Sequence, residues 1–188
     1  MQIEVEFLSD EQIYERVMKE EVPSARVSVL IATALVKQTT VELEGEFVPF
    51  IKVIDELISR GVNVSLLFAG KPSRPFTECL GQFQRVLANA NIRLCVRNHM
   101  KIVLIDSSRL YLGSANLTGA GLGRKSRNRR NFEFGLFTTD TRVISWITNI
   151  VRDIWEGNHC SDCGTKRLCK LEHERFGASI PEQPTAVR

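Results

Sequence analysis

Apolar residues along the chain repeat with two different periods, and the switches between them outline alternating strands and helices. From Gln2 to Leu8, the residues Ile3, Val5 and Phe7 alternate with polar positions, as on a half-buried strand. Ser9 is placed to cap a helix running through Tyr14 and Val17, with Asp10, Glu11 and Glu15 at its positive end. Arg26 to Val36 is nearly all apolar, which predicts a central strand covered on both faces. Between Gly45 and Ser59, Val48, Ile51, Ile54, Leu57 and Ile58 recur at helical spacing, and Arg60-Gly61 marks the stop. Val62 to Phe68 then reads as a buried strand, Phe76 to Leu87 as a helix, and Ile92 to Val96 as a short strand.

Met100 to Ile105 and Leu110 to Leu112, joined by an Asp-Ser-Ser-Arg turn, predict adjacent antiparallel strands. Phe132 to Thr138 adds another strand, and Val143, Ile144, Ile147, Ile150, Val151 and Ile154 predict a last helix packed on the sheet. The expected fold is α/β, a mixed and mostly parallel sheet flanked by helices on both faces, with a small Cys-rich C-terminal tail. A chain of 188 residues suits one such domain with an appendage. The boundaries read as a main domain over 1–156, a Cys-rich tail over 157–176 and a flexible C-terminus over 177–188.

Composition narrows the class only a little. Hydrophobic residues at 43% and charged residues at 25% are globular values and argue against a disordered body. The net charge of +3 is mild, yet it is unevenly spread: seven acids face two bases in the first 22 residues, and Gly123 to Arg130 carries five bases and no acid. No run approaches the ~20 apolar residues of a membrane span, and the N-terminus is acidic where a signal peptide would be basic. A soluble cytoplasmic protein is expected.

The candidate chemistry lies between Asn98 and Glu133. His99 and Lys101 are two apart on a predicted strand and so share a face. A neutral imidazole can attack phosphorus while the adjacent ammonium holds the non-bridging oxygens. Gly113 permits close backbone approach at a strand end, Ser114 brings a hydroxyl, and Asn116 can donate its amide N–H groups to the same oxygens. Glu133, returning on the next strand, is expected to accept from the other imidazole nitrogen and fix the tautomer.

The pattern His99-x-Lys101-x4-Asp106-x6-Gly113-Ser114-Ala115-Asn116 resembles the HKD signature of the phospholipase D superfamily. The weaker resemblance of element order extends from about Val27 to Trp155, as in a single-motif member. It implies that His99 forms a phosphohistidine, that Lys101 and Asn116 bind phosphate, that Asp106 supports the motif by hydrogen bonding and that Ser114 assists. It also implies a two-motif active site. One motif per chain then means a homodimer with two copies facing across a two-fold axis, and catalysis needs no cofactor or divalent metal.

The superfamily includes nucleases, lipid hydrolases and phospholipid synthases, so the motif names a reaction and leaves the substrate open. Arg124, Lys125, Arg127, Arg129 and Arg130 fall between Asn116 and Glu133, near the mouth of the site, where several cations suit DNA or RNA. A lipid phosphodiester is the alternative, with Leu117 and Leu122 as the only residues suggesting contact with a bilayer. A catalytically inactive nucleic-acid-binding module is the other.

The five cysteines are an odd number, and three crowd into residues 160 to 169, favouring a metal clip over disulfides. Cys160, Cys163, Cys169 and His173 have the types and spacing of a structural zinc site resembling CCCH zinc fingers, with His159 a competing ligand. An iron–sulfur cluster is the alternative. The same Cys-x2-Cys-x5-Cys run is similar to the tail of iron–sulfur nucleases, which would recruit Cys95 or Cys79 as fourth thiolate. Apart from that role, Cys79 and Cys95 fall on apolar faces and read as core residues.

Overall fold

The computed structural model describes residues 3–177. Its nine strands are β1 Glu6–Ser9, β2 Ser28–Thr33, β3 Thr40–Leu43, β4 Glu46–Pro49, β5 Asn63–Phe68, β6 Asn91–Leu94, β7 Lys101–Ile105, β8 Arg109–Gly113 and β9 Phe134–Thr138. Seven of them form one sheet in the order β1-β9-β8-β7-β2-β5-β6, and β3 and β4 make a separate hairpin. The pairs β2–β5 and β5–β6 are parallel, and the other four are antiparallel. Strands β1, β2, β5, β6 and β8 therefore run one way and only β7 and β9 the other, the mixed α/β sheet that the pattern predicts. Of the antiparallel pairs, β7 and β8 are joined by a tight return. The Ile105–Ser108 turn carries Asp106 at φ 52° and Ser107 at φ 53°, the left-handed pair that matches strand twist.

Alternation along the strands divides the core into two layers. Val29 and Ile31 of β2, Val64, Leu66 and Phe68 of β5, Val103 and Ile105 of β7 and Tyr111 of β8 face one side. That side is covered by α1 Glu11–Ile13, which continues as a π-helix over Tyr14–Glu21, and by α2 Phe50–Ser59, α3 Arg74–Leu80 and α4 Gln84–Asn89. Ala32, Leu67, Ile102, Leu104 and Leu110 face the other side, against Ile144 and Val151 of α5 Thr141–Glu156. Each fully buried aliphatic side chain adds roughly 1.5–3 kcal/mol. The sheet is thus anchored from both faces, and its strand ends are free to carry polar groups.

Several boundaries differ from expectation for local reasons. Residues Gly45 to Pro49 do not begin a helix. Glu44 at φ 52° and Gly45 at φ 84° make the β3–β4 turn, and α2 starts at Phe50. The helix expected over Phe76 to Leu87 is broken into two by the Gly81–Phe83 connection. Asp10, not Ser9, occupies the first cap position, while the Gln12 side chain accepts from Ser9 N and Oγ at 3.0 Å each. The tail contains a helix the pattern did not reveal, α6 Lys166–Gly177, docked through buried Phe176 and through Glu172, which accepts from Lys71 N at 2.7 Å. Of the expected flexible terminus 177–188, only Gly177 falls within the described residues.

Candidate active site

The motif collects at one end of the sheet, where β2, β5 and β8 finish and β7 and β9 begin. Asn98, buried at 3% exposure, locks the chain there: its Nδ2 donates to Thr33 O at 3.1 Å and Leu67 O at 3.0 Å, and its Oδ1 accepts from Met100 N at 3.1 Å. His99 follows, exposed. Lys101 is buried, with Nζ donating to His99 O at 2.8 Å and lying 3.1 Å from Nδ1 and 3.4 Å from Nε2 of the imidazole. Burial holds the Lys101 ammonium below the ordinary lysine range, and the Glu133 carboxylate opposes that shift. Imidazole and cation are presented to the same space.

Asn116 reaches this space from the loop after β8. Its Oδ1 accepts from Leu35 N at 3.0 Å and lies 3.4 Å from Thr33 Oγ1, which also accepts from Leu117 N at 3.2 Å. With the oxygen end engaged, the amide keeps its N–H donors for an incoming oxygen. Thr33 and Asn98 are positioning residues that sequence reasoning missed. The signal for Asn98 was a polar side chain at the junction of two apolar strands, where it must be satisfied by backbone.

Ser114 and Glu133 form the other wall. Ser114 Oγ donates to Glu133 and accepts from Phe134 N at 3.1 Å, while Asn131 Nδ2 donates to Glu133 Oε1 at 2.9 Å. Asp10 braces the same segment, its Oδ1 accepting from Glu133 N at 3.0 Å. The expected bond from Glu133 to the His99 imidazole is not made. Ser114 and Asn131 hold the carboxylate, and its influence on the cationic side is felt at Lys101. Gly113 is required by close packing, since a Cβ there would stand 2.6 Å from Phe134 O and 2.8 Å from Gly135 Cα. Tyr111 lies against both Gly113 and Gly135, and burial raises its phenol.

Asp106 does not join these residues. It sits past the far end of β7, roughly 16 Å from Lys101 at ~3.3 Å per strand residue. There it accepts from Arg26 N at 3.1 Å, Val27 N at 2.7 Å, Ser28 N at 3.0 Å and Arg109 Nη2 at 2.8 Å. Burial works to raise the Asp106 carboxyl, but the backbone donors of Ser28, Val27 and Arg26, with Arg109, outweigh it and hold it below the ordinary aspartate range. It belongs with the motif's support and not with its reacting atoms.

The basic loop is divided. Arg124 stacks on Phe47 at 4.2 Å and on Tyr14 at 4.9 Å, and donates to Thr40 Oγ1 at 3.3 Å; Arg130 pairs with Glu11. Both fasten the loop to the domain. Lys125, Arg127 and Arg129 are exposed beside fully exposed Phe132. Leu117 and Leu122, at 3% and 4% exposure, are core residues and offer nothing to a bilayer.

On the tail, His173 turns away from the cysteines, its Nε2 lying 3.2 Å from Leu94 O, so the expected Cys160, Cys163, Cys169, His173 set is not assembled. Among the described residues no three His, Cys, Asp or Glu side chains stand close enough to share one metal ion. All five cysteines are free thiols. Hydrogen bonding from Thr165, aided by Arg97, brings the Cys163 thiol down to about 7. No described helix is long and apolar enough to cross a membrane.

Comparison with known proteins agrees with this fold. Residues 18–155 match the sequence model of the family described as cardiolipin synthase, PLD-like domain. Among solved structures, NucT from Helicobacter pylori superposes with TM-score 0.55 at 18% identity, covering 82% of this chain and 97% of NucT. Nuc from Salmonella typhimurium, a phospholipase D family member, gives 0.57 at 16% identity, covering 82% and 95%. The phosphatidylserine synthase of Haemophilus influenzae Rd KW20 gives 0.59 at 14% identity over 79% of this chain and 36% of the synthase. A search of curated proteins by sequence returned no match.

Proposed function

The chain belongs to the phospholipase D superfamily, in its PLD-like domain family, and from that premise we propose that it is a metal-independent nuclease, cleaving DNA or RNA through a phosphohistidine. The observation that carries the reading is the array of exposed His99, buried Lys101 and Asn116 at the open end of the sheet. One imidazole nitrogen of His99 attacks phosphorus and the P–O bond to the leaving nucleoside breaks. Lys101 Nζ and Asn116 Nδ2 stabilise the charge on the non-bridging oxygens. The leaving oxygen needs a proton, and the partner's His99 supplies it across a homodimer axis. That second imidazole then takes a proton from the water that hydrolyses the P–N bond, restoring both histidines.

Two surface features support this assembly. Phe7 at 79% and Phe134 at 73% exposure lie on the α5 face of the sheet, on the β1–β9 edge that α5 leaves uncovered, and Phe134 directly follows Glu133. That apolar strip suits a second copy brought up to the site. Lys125, Arg127 and Arg129, with Phe132 for base stacking, suit a polynucleotide. The family description keeps a lipid phosphodiester as the rival substrate, and burial of Leu117 and Leu122 weighs against it.

The test is to incubate the purified protein in EDTA with single- and double-stranded DNA and RNA oligonucleotides and, separately, with phosphatidylcholine vesicles. Oligonucleotide cleavage with intact vesicles is expected, from a species of twice the chain mass. Lipid hydrolysis with intact oligonucleotides would give the site to the rival substrate. Salt-sensitive binding without cleavage of either would reduce it to a binding module.

A further inference from the structure

Four of the five cysteines come together although they are far apart in sequence. Cys95, Cys160, Cys163 and Cys169 line one cavity of about 290 Å³ beside the candidate active site. Cys95 lies in the segment leaving β6, with its N–H donating to Phe68 O at 2.8 Å, and the other three belong to the tail after α5. The two segments are held to each other through the sulfurs. Val96 N donates to Cys169 Sγ at 3.4 Å, and Arg97 Nη1 donates to Cys163 Sγ at 3.7 Å. Cys160 Sγ is set close by the left-handed turn at Gly157, where an added Cβ would lie 3.4 Å from it. The fifth cysteine, Cys79, packs with the core on the opposite face of the sheet.

This is a larger arrangement than a zinc ion asks for. A mononuclear site draws four sulfurs to about 2.3 Å from a common centre, whereas these ring the cavity and no three are within reach of one ion. A cubane cluster takes one thiolate at each of four separated iron atoms and fills the space between them. The remaining lining fits such a body: Arg97 and Lys166 offset the net negative charge of a four-thiolate cluster, and Ile154 supplies an apolar wall. We propose that Cys95, Cys160, Cys163 and Cys169 ligate an iron–sulfur cluster that fastens the tail to the segment carrying His99. The fastening passes through Asn98, which lines the same cavity and ties the chain to Thr33 and Leu67 one residue before His99. The assignment stands on the thiols alone and does not depend on which phosphodiester the site cleaves.

The experiment is anaerobic purification of the full chain, with iron, acid-labile sulfide and zinc measured per chain and the visible spectrum recorded. About four iron and four sulfide per chain are expected, with the broad visible absorption of a cluster. Cys95→Ser and Cys160→Ser should each remove most of the iron and colour, while Cys79→Ser and His173→Ala retain both. Far-ultraviolet circular dichroism separates cluster loss from unfolding, and Cys160, exposed on the tail, is the variant least bound up with the core. Stoichiometric zinc without iron, no bound metal, or a cluster that survives Cys95→Ser and Cys160→Ser but not Cys79→Ser would each overturn the assignment.

Discussion

Strand β7 lies between two clusters of motif residues, and its two ends are treated differently. At the start of β7, His99 is exposed and Asn116 retains its N–H donors. Beyond its finish, the charged groups are engaged: Asp106 accepts from three backbone N–H groups and from Arg109, and Arg109 also bonds Ser24 Oγ at 2.8 Å and buried Glu21. A polar group left with spare bonding capacity beside a concave surface is equipped for a ligand. A saturated one holds the fold. The shared signature therefore mixes chemistry with architecture, and substitutions at the two ends should separate cleanly.

The largest expected effect short of removing the nucleophile is at Lys101. Lys101→Met keeps the length of the side chain and loses the charge, so kcat should fall by about 10²–10³-fold with little change in Tm, read by steady-state cleavage and calorimetry. Asp106→Ala should do the reverse. Loss of its bonds costs about 2–3 kcal/mol, a Tm drop of roughly 5–10 °C for a domain of this size, while the refolded protein keeps cleavage within a few-fold of wild type. Since the folded Asp106 carboxyl titrates below its ordinary range, its stabilisation is complete above about pH 4 and is lost as pH falls through the folded value. The gap between wild type and Asp106→Ala in denaturant titrations should narrow in acid.

The basic loop extends the comparison to binding. Changing Lys125, Arg127 and Arg129 together to serine should weaken oligonucleotide affinity and reduce the slope of log K against log salt by about 2–3. Changing Arg124 and Arg130 should leave that slope nearly intact and lower Tm instead, because their cations face Phe47, Tyr14 and Glu11. The smallest effect concerns Glu133. Its carboxylate raises Lys101 against the pull of burial, so Glu133→Gln should lower the Lys101 titration further, followed by NMR of the Lys101 side chain across pH. An unmoved Lys101 titration would detach Glu133 from Lys101.

How far this could be read from the sequence depended on the range of the interaction. The central strands were plain in the continuous apolar runs Val29 to Ala32 and Ile102 to Ile105, because burial on two faces demands an apolar residue at every position. The motif spacing delivered His99, Lys101, Ser114 and Asn116 to one sheet end, since strand geometry converts spacing into position. The β3–β4 hairpin was hidden because Val48 also fits a helical repeat, and the Glu44-Gly45 turn outweighs that fit. Contacts between distant segments left no local trace. Glu133 bonds Ser114 instead of His99, and Arg124 stacks on Phe47. The tail spacing could name Cys95 or Cys79 as a partner, and only the fold places Cys95 with the tail cysteines.

The central claim is that phosphodiester chemistry belongs to the His99 end of the strand, without a metal ion. It is tested most directly by the rate of oligonucleotide cleavage in EDTA for wild type and His99→Ala, with Tm measured on the same samples. The account expects wild type to cleave, and His99→Ala to lose about 10³-fold or more at unchanged Tm. Cleavage by His99→Ala at the wild-type rate, or a wild-type enzyme silenced by EDTA, would contradict it.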